Sequence, residues 1–244
     1  MGLLEALGRG VGGVVAPVAA LGSLTRGARL FHPDGVVYRA DVRALQAEGA
    51  LGDLARRLEG PAIIRLSGAL FRHRPGRTLP DVLGAAVRFG AAQDLLFATF
   101  RRSYELPVAM LATNAGDFLA NEYYTVLPSD IPGREGVTFR LVPFHPSPPG
   151  RDRRERLARA VADGAASFEL EARRAYAGPW TSFASITLRE RADVDQEELR
   201  FNPFHDGLGI VPHGFLQAVR AAVYPASQIG RALAHGLRAP RERA

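Results

Sequence analysis

Apolar and polar side chains alternate residue by residue over several short stretches of this chain, the period of strands with one buried face. In the first stretch Val36, Tyr38, Ala40 and Val42 interleave with Val37, Arg39, Asp41 and Arg43. The same reading predicts strands over Gly35 to Leu45, Pro61 to Leu70, Val82 to Phe89 and Gln93 to Phe100. Four more follow, over Glu122 to Leu127, Val137 to Pro143, Ser167 to Arg174 and Phe183 to Arg189. About eight strands is the number at which a closed barrel fills with its own side chains. Helical or irregular pieces intervene over Leu51 to Leu58, Tyr104 to Ala120 and Arg151 to Ala162, and two more are predicted over Pro212 to Val223 and Ser227 to Leu237. Pro143 to Gly150, with four prolines, is an extended loop. Strands early and helices late, without regular βα alternation, predict an α+β fold: an antiparallel, roughly eight-stranded β-barrel with flanking helices.

Composition narrows the chemistry. A length of 244 residues suffices for one substantial core. With no cysteine there are no disulfides, thiolate metal sites or thiol catalysis, which suits a cytoplasmic protein. Every basic residue is arginine, which excludes a Schiff-base lysine and a P-loop. The net charge of +6 has much of its excess in the tail from Arg238 to Arg243. No concentrated basic stripe with interleaved aromatics accompanies it, so nucleic acid is not an expected partner. The arginine-rich run Arg151 to Arg159 is punctuated by Asp152 and Glu155 and reads as a solvated helix face. The N-terminal stretch is apolar and glycine-rich, but Glu5 precedes Arg9 and Pro17 breaks the run. That pattern fits neither a signal peptide nor a membrane span. It predicts an arm for packing on the domain, on a second copy of the chain or on a membrane surface, with export as the lesser alternative.

Near the C-terminus lies Arg220-Ala-Ala-Val-Tyr224-Pro-Ala-Ser-Gln-Ile-Gly-Arg231. In a helix, spacings of four and seven put Arg220, Tyr224 and Arg231 on one face. A guanidinium one turn from a phenol favours the phenolate, an ion able to ligate haem iron. Pro225 requires a kink or a new helix start directly after Tyr224. By itself the segment reads equally as an amphipathic terminal helix with a half-buried tyrosine. The histidines at 73, 145, 205 and 213 show no zinc-ligand spacing and read as surface or loop residues.

Two upstream patterns change that reading: Arg29-Leu-Phe-His32-Pro-Asp-Gly35 and Ile64-Arg65-Leu66-Ser67-Gly68. Together with Arg220 to Arg231, and in this order, they resemble the haem-binding core of the catalase family, in the manner of its small catalase-related peroxidases. The resemblance implies a haem-binding domain over 29–237, an N-terminal arm over 1–28 and a basic tail over 238–244. It also implies bound haem b, with Tyr224 as the iron ligand and Arg220 hydrogen-bonded to the phenolate. His32 would act as distal acid and base, oriented from behind by Ser67. Arg29, Arg65 and Arg231 would hold the haem propionates, a task suited to the planar guanidinium fork. The implied activity is a haem-dependent, peroxidase- or catalase-like oxidation using hydrogen peroxide or an organic hydroperoxide with an unidentified reductant.

The chain departs from the family in places. No asparagine occurs between Gly90 and Thr113, where full catalases place a distal amide, and Thr99 is the nearest polar substitute. Leu106-Pro107 stands where an aromatic normally precedes the proline, and Phe31 is bulkier than the usual valine. These departures weigh against rapid dismutation of hydrogen peroxide and toward peroxidase or hydroperoxide-rearranging chemistry. The alternative is a catalytically degenerate haem- or lipid-binding protein on the same barrel.

Overall fold

A computed structural model describes residues 35–74, 78–175, 177–194, 199–202 and 205–212. Its strands are β1 (Gly35–Ala44), β2 (Gly60–Gly68), β3 (Leu83–Phe89), β4 (Gln93–Ala98), β5 (Tyr123–Tyr124), β6 (Ser129–Ile131), β7 (Arg134–Pro143), β8 (Ser167–Arg174), β9 (Thr181–Arg191) and β10 (Val211–Pro212). Among the described residues three α-helices accompany them: α1 (Gly49–Leu58), α2 (Leu106–Ala112) and α3 (Arg153–Ala162). Antiparallel pairing runs β1-β2-β3-β4-β5-β7-β8-β9 and returns from β9 to β1. Among the described residues this is a closed eight-stranded barrel, with β6 and β10 added beside β7. Closure leaves the eight strands without a free edge.

The alternation seen in the sequence decides what fills the barrel. Val36, Tyr38, Ala40 and Val42 of β1 point inward with Ile64 and Leu66, Ala85 and Val87, Phe139 and Leu141, and Phe168 and Leu170. Helix α1 buries Leu51, Leu54, Ala55 and Leu58, a stripe at i, i+3, i+4 and i+7, against the same core. Helix α3 starts at Asp152, whose Oδ1 accepts from the N–H groups of Arg154 at 2.9 Å and Glu155 at 3.0 Å.

All eight predicted strands form. The fifth is shorter than its pattern, ending at Tyr124. There the Thr125 hydroxyl, not a backbone carbonyl, accepts from Phe139 N–H at 2.9 Å, and Pro128 has no N–H to continue the ladder. Tyr104 to Ala120 resolves into α2 between two 3₁₀ turns, Ser103–Glu105 and Phe118–Ala120. Strands β6 and β10 were not expected, since two or three residues carry too little alternation to register. Pro212 belongs to β10 and not to a helix; the remainder of that expected helix, and the one over Ser227 to Leu237, lie outside the described residues. The run Arg151 to Arg159 is not wholly solvated. Arg153 is buried, donates from Nη1 to Ala115 O at 3.1 Å and places its guanidinium 5.3 Å from the Phe118 ring centre.

Candidate functional site

Strand β2 carries Arg65 and Ser67 two residues apart, hence on one face, opposite to Ile64 and Leu66. They point away from the barrel core, yet are only 4% and 3% exposed. Val37, opposite Arg65 on β1, is likewise buried without belonging to the core. A buried guanidinium on an outer barrel face is a costly arrangement that charge-assisted hydrogen bonds must offset.

The strand register lays a row of small residues beside this pair. Gly35 faces Ser67, Ser67 faces Gly84, and Gly84 faces Ala98. Four adjacent strands thus offer a strip about 14 Å wide with no side chain larger than serine's. Gly35 is needed for close approach: a Cβ there would meet Leu66 O at 2.7 Å, Arg65 Cζ at 3.0 Å and Ser67 Cβ at 3.0 Å. The Arg65 guanidinium therefore lies over the Gly35 backbone, in a cradle that only glycine leaves open.

The structure brings Arg65 and Ser67 together on β2. Arg29, His32, Arg220, Tyr224 and Arg231 lie outside the described residues, as do 1–28 and 238–244. Three described tyrosines are poor phenolates. Burial pushes Tyr38, Tyr123 and Tyr124 above the ordinary phenol value, and for Tyr124 the hydrogen bond to Glu122 adds to the rise.

Thr99, the polar residue nearest the missing amide, is engaged in the fold. Its hydroxyl accepts from Leu83 N–H at 3.1 Å and lies 2.8 Å from the Thr113 hydroxyl, tying β3 to the end of α2. This lock joins two threonines fourteen residues apart and left no pattern in the sequence.

A cavity of about 370 Å³ opens beyond the end of β2, lined in part by Phe71, His73, Asp81, Asp152 and Arg153. His73 Nε2 lies 3.5 Å from Asp152 Oδ2, with its side chain 10% exposed, so this histidine is not a plain surface residue. Burial pushes the Asp152 carboxyl up, but the hydrogen bonds from Glu155 and Arg154 N–H and the nearby His73 charge offset it and leave it below its usual range. Asp81 closes the same region, accepting from the N–H groups of Leu70, Phe71 and Val82. The Arg72-His73-Arg74 cluster was visible in the sequence, but its partner Asp152 stands far along the chain on another element.

No protein-family model and no curated protein matches the chain. Among solved structures, its fold is similar to that of a fungal catalase crystal structure, with a TM-score of 0.59 over 84% of this chain and 12% sequence identity. The chain spans 59% of the length of that catalase chain. At such low identity the likeness concerns the fold alone: an α+β architecture around a closed antiparallel barrel.

Proposed function

We propose that this chain binds haem b and uses it in peroxidase-like oxidation with hydrogen peroxide or an organic hydroperoxide. The observation that supports the reading is the buried Arg65–Ser67 pair on the outer face of the barrel, since the resemblance gives both residues a part in a haem site. The donor set fits the group. A buried guanidinium cradled over Gly35 suits a propionate carboxylate, and the row of glycine, serine and alanine beside it leaves a flat face for a planar ring. Burial disfavours phenolate at Tyr38, Tyr123 and Tyr124, while Arg220, four residues before Tyr224 in the sequence, would favour it there if the segment is helical.

Bound haem supplies the redox chemistry that peroxide cleavage requires. The chain's own residues do the rest. Tyr224 would offer its phenolate oxygen to the iron, and Arg220 would keep that oxygen ionised. Arg29, Arg65 and Arg231 would neutralise the propionates. His32 would hold and relay a proton at the peroxide oxygens, a task suited to an imidazole, whose unperturbed pKa is ~6.5. The resemblance implies that Ser67 would orient the His32 ring from behind. Purified protein supplied with haem is expected to show a ferric Soret band with a tyrosinate signature that Tyr224→Phe abolishes. His32→Ala is expected to retain haem while peroxide-driven donor oxidation falls about 10²–10⁴-fold. Protein that stays colourless defeats the haem reading, and unchanged turnover in His32→Ala removes that residue from the reaction.

The Thr99 lock favours one further reading, a haem or lipid carrier without catalysis. With its hydroxyl engaged by Leu83 and Thr113, Thr99 is a poor replacement for the distal amide. A carrier is coloured but oxidises no donor, so a standard donor assay on the haem-loaded protein separates the two.

A further inference from the structure

Helix α2 reads Leu106-Pro-Val-Ala-Met-Leu-Ala112, without one polar side chain. A helix apolar on every side is ordinarily a buried one. Among the described residues, only one side of this helix meets the protein body. Ala109 is buried, and Met110 packs with Ala69, Leu70 and Val82. On the other side Val108 is 69% and Leu111 82% exposed, three residues apart and so on one face. Tyr104, one turn earlier, extends the stripe and is 68% exposed. Leu106 adds a further exposed apolar side chain at the helix start, at 39%.

The charge beside this stripe is positive. Arg101 and Arg102 directly precede the 3₁₀ turn, and both are exposed. Arg102 donates to the Tyr104 hydroxyl and stands 5.8 Å from its ring centre, while Arg101 donates to the Tyr124 hydroxyl at 3.0 Å. The one carboxylate between residues 101 and 112, Glu105, accepts from the N–H groups of Arg101 at 3.0 Å and Arg102 at 3.2 Å, which shapes the turn. The nearby acids Glu122 and Glu171 both pair with Arg140. Burial and the charges of Arg101, Arg140 and Arg102 together lower the pKa of Arg173, as expected in a field dominated by cations.

We propose that the Tyr104–Val108–Leu111 stripe, flanked by Arg101 and Arg102, docks the protein peripherally on an anionic lipid surface. Apolar side chains enter the boundary of the acyl region, arginines meet the headgroup phosphates, and the tyrosine spans the two zones. A second copy of the chain fits less well. A two-fold interface would bring the same arginines of both copies together, and like charges oppose that. The helix lies on the bilayer and does not cross it. Its seven residues rise only about 10 Å, and among the described residues no helix is long and apolar enough to span a membrane. This docking is independent of the haem reading.

The test is sedimentation of the full chain with phosphatidylcholine vesicles, with and without about one-third phosphatidylserine, at low and high salt. The expected result is binding to the anionic vesicles at least about tenfold above the neutral ones, weakened by salt. The Val108→Ser/Leu111→Ser variant keeps every charge and the N-terminal arm, and is expected to lose about tenfold. Arg101→Gln/Arg102→Gln is expected to lose at least about tenfold, from about 1 kcal/mol per arginine. Leu111→Ser alone serves as a second apolar variant, and circular dichroism melts establish that each variant folds. The proposal is overturned by a wild-type chain that ignores anionic vesicles, or by folded serine variants that bind as wild type does. A wild-type dimer that the serine variants dissociate, with lipid binding unchanged, assigns the stripe to a second copy instead.

Discussion

Gly35 shows how much one residue decides here. Its missing side chain lets the Arg65 guanidinium lie against the first strand, beneath the position a Cβ would occupy 3.0 Å from Cζ. An alanine would also meet Leu66 O at 2.7 Å, and backbone cannot move aside as a flexible side chain can. Gly35→Ala is therefore expected to cost about 1–3 kcal/mol by overpacking and to displace Arg65. If Arg65 holds a propionate, the same variant weakens haem binding by at least about tenfold, read by titrating haem into folded protein. Haem affinity equal to wild type in a folded Gly35→Ala chain would separate Arg65 from the haem site. Arg65 and Ser67 could be singled out from the sequence because strand periodicity puts i and i+2 on one face. Their burial outside the core could not, because alternation tells only that two faces exist.

At the scale of elements, α3 ties its own N-terminus to pH. The Asp152 carboxyl is held below its usual range by N–H groups of its own helix despite burial, and Glu155 is lowered to about 2 by the backbone N–H and guanidinium of Arg151. A carboxyl lowered by folding stabilises the folded state above its unfolded pKa of about 4, and that contribution fades as pH falls through the folded value. Helix content at the start of α3 is thus expected to fall between about pH 4 and pH 2, followed by far-ultraviolet circular dichroism. Asp152→Asn, which still caps but does not ionise, is expected to lose part of this acid sensitivity. Superimposable acid transitions for the two proteins would assign the sensitivity elsewhere. The sequence marked the acids within this arginine run but read it as a solvated face. Arg153 turns inward because Ala115 O and the Phe118 ring await it, the one in a loop and the other in the 3₁₀ turn that follows, both placed only by the folded barrel.

At the scale of the whole molecule, Gln93 and Asp94 pin a late segment of the chain onto the barrel. Asp94, fully buried, takes both prongs of Arg88 at 2.7 Å and the Asn202 N–H at 2.7 Å. Gln93 donates to His205 O at 2.9 Å and Ile210 O at 3.1 Å and accepts from Ile210 N–H at 3.2 Å. Asp94→Ala would leave the partly buried Arg88 guanidinium with the Arg200 carbonyl and the Phe201 ring but without this counter-charge, and is expected to cost about 3–5 kcal/mol in urea unfolding, with early proteolysis near residues 199–212. A loss below about 1 kcal/mol would mark the pair as an ordinary surface bridge. The alternation of side chains was enough to specify eight strands and their inward faces, because burial of one face is a local, two-residue code. The Arg65-x-Ser67 spacing was equally local. Which strands are neighbours, that the eighth closes on the first, and that Gly35, Ser67, Gly84 and Ala98 fall into one row were decided by tertiary pairing. So were the Thr99–Thr113 lock and the His73–Asp152 pair, for hydrogen bonds and ion pairs across strands depend on register and distance, and neither is written in the order of residues.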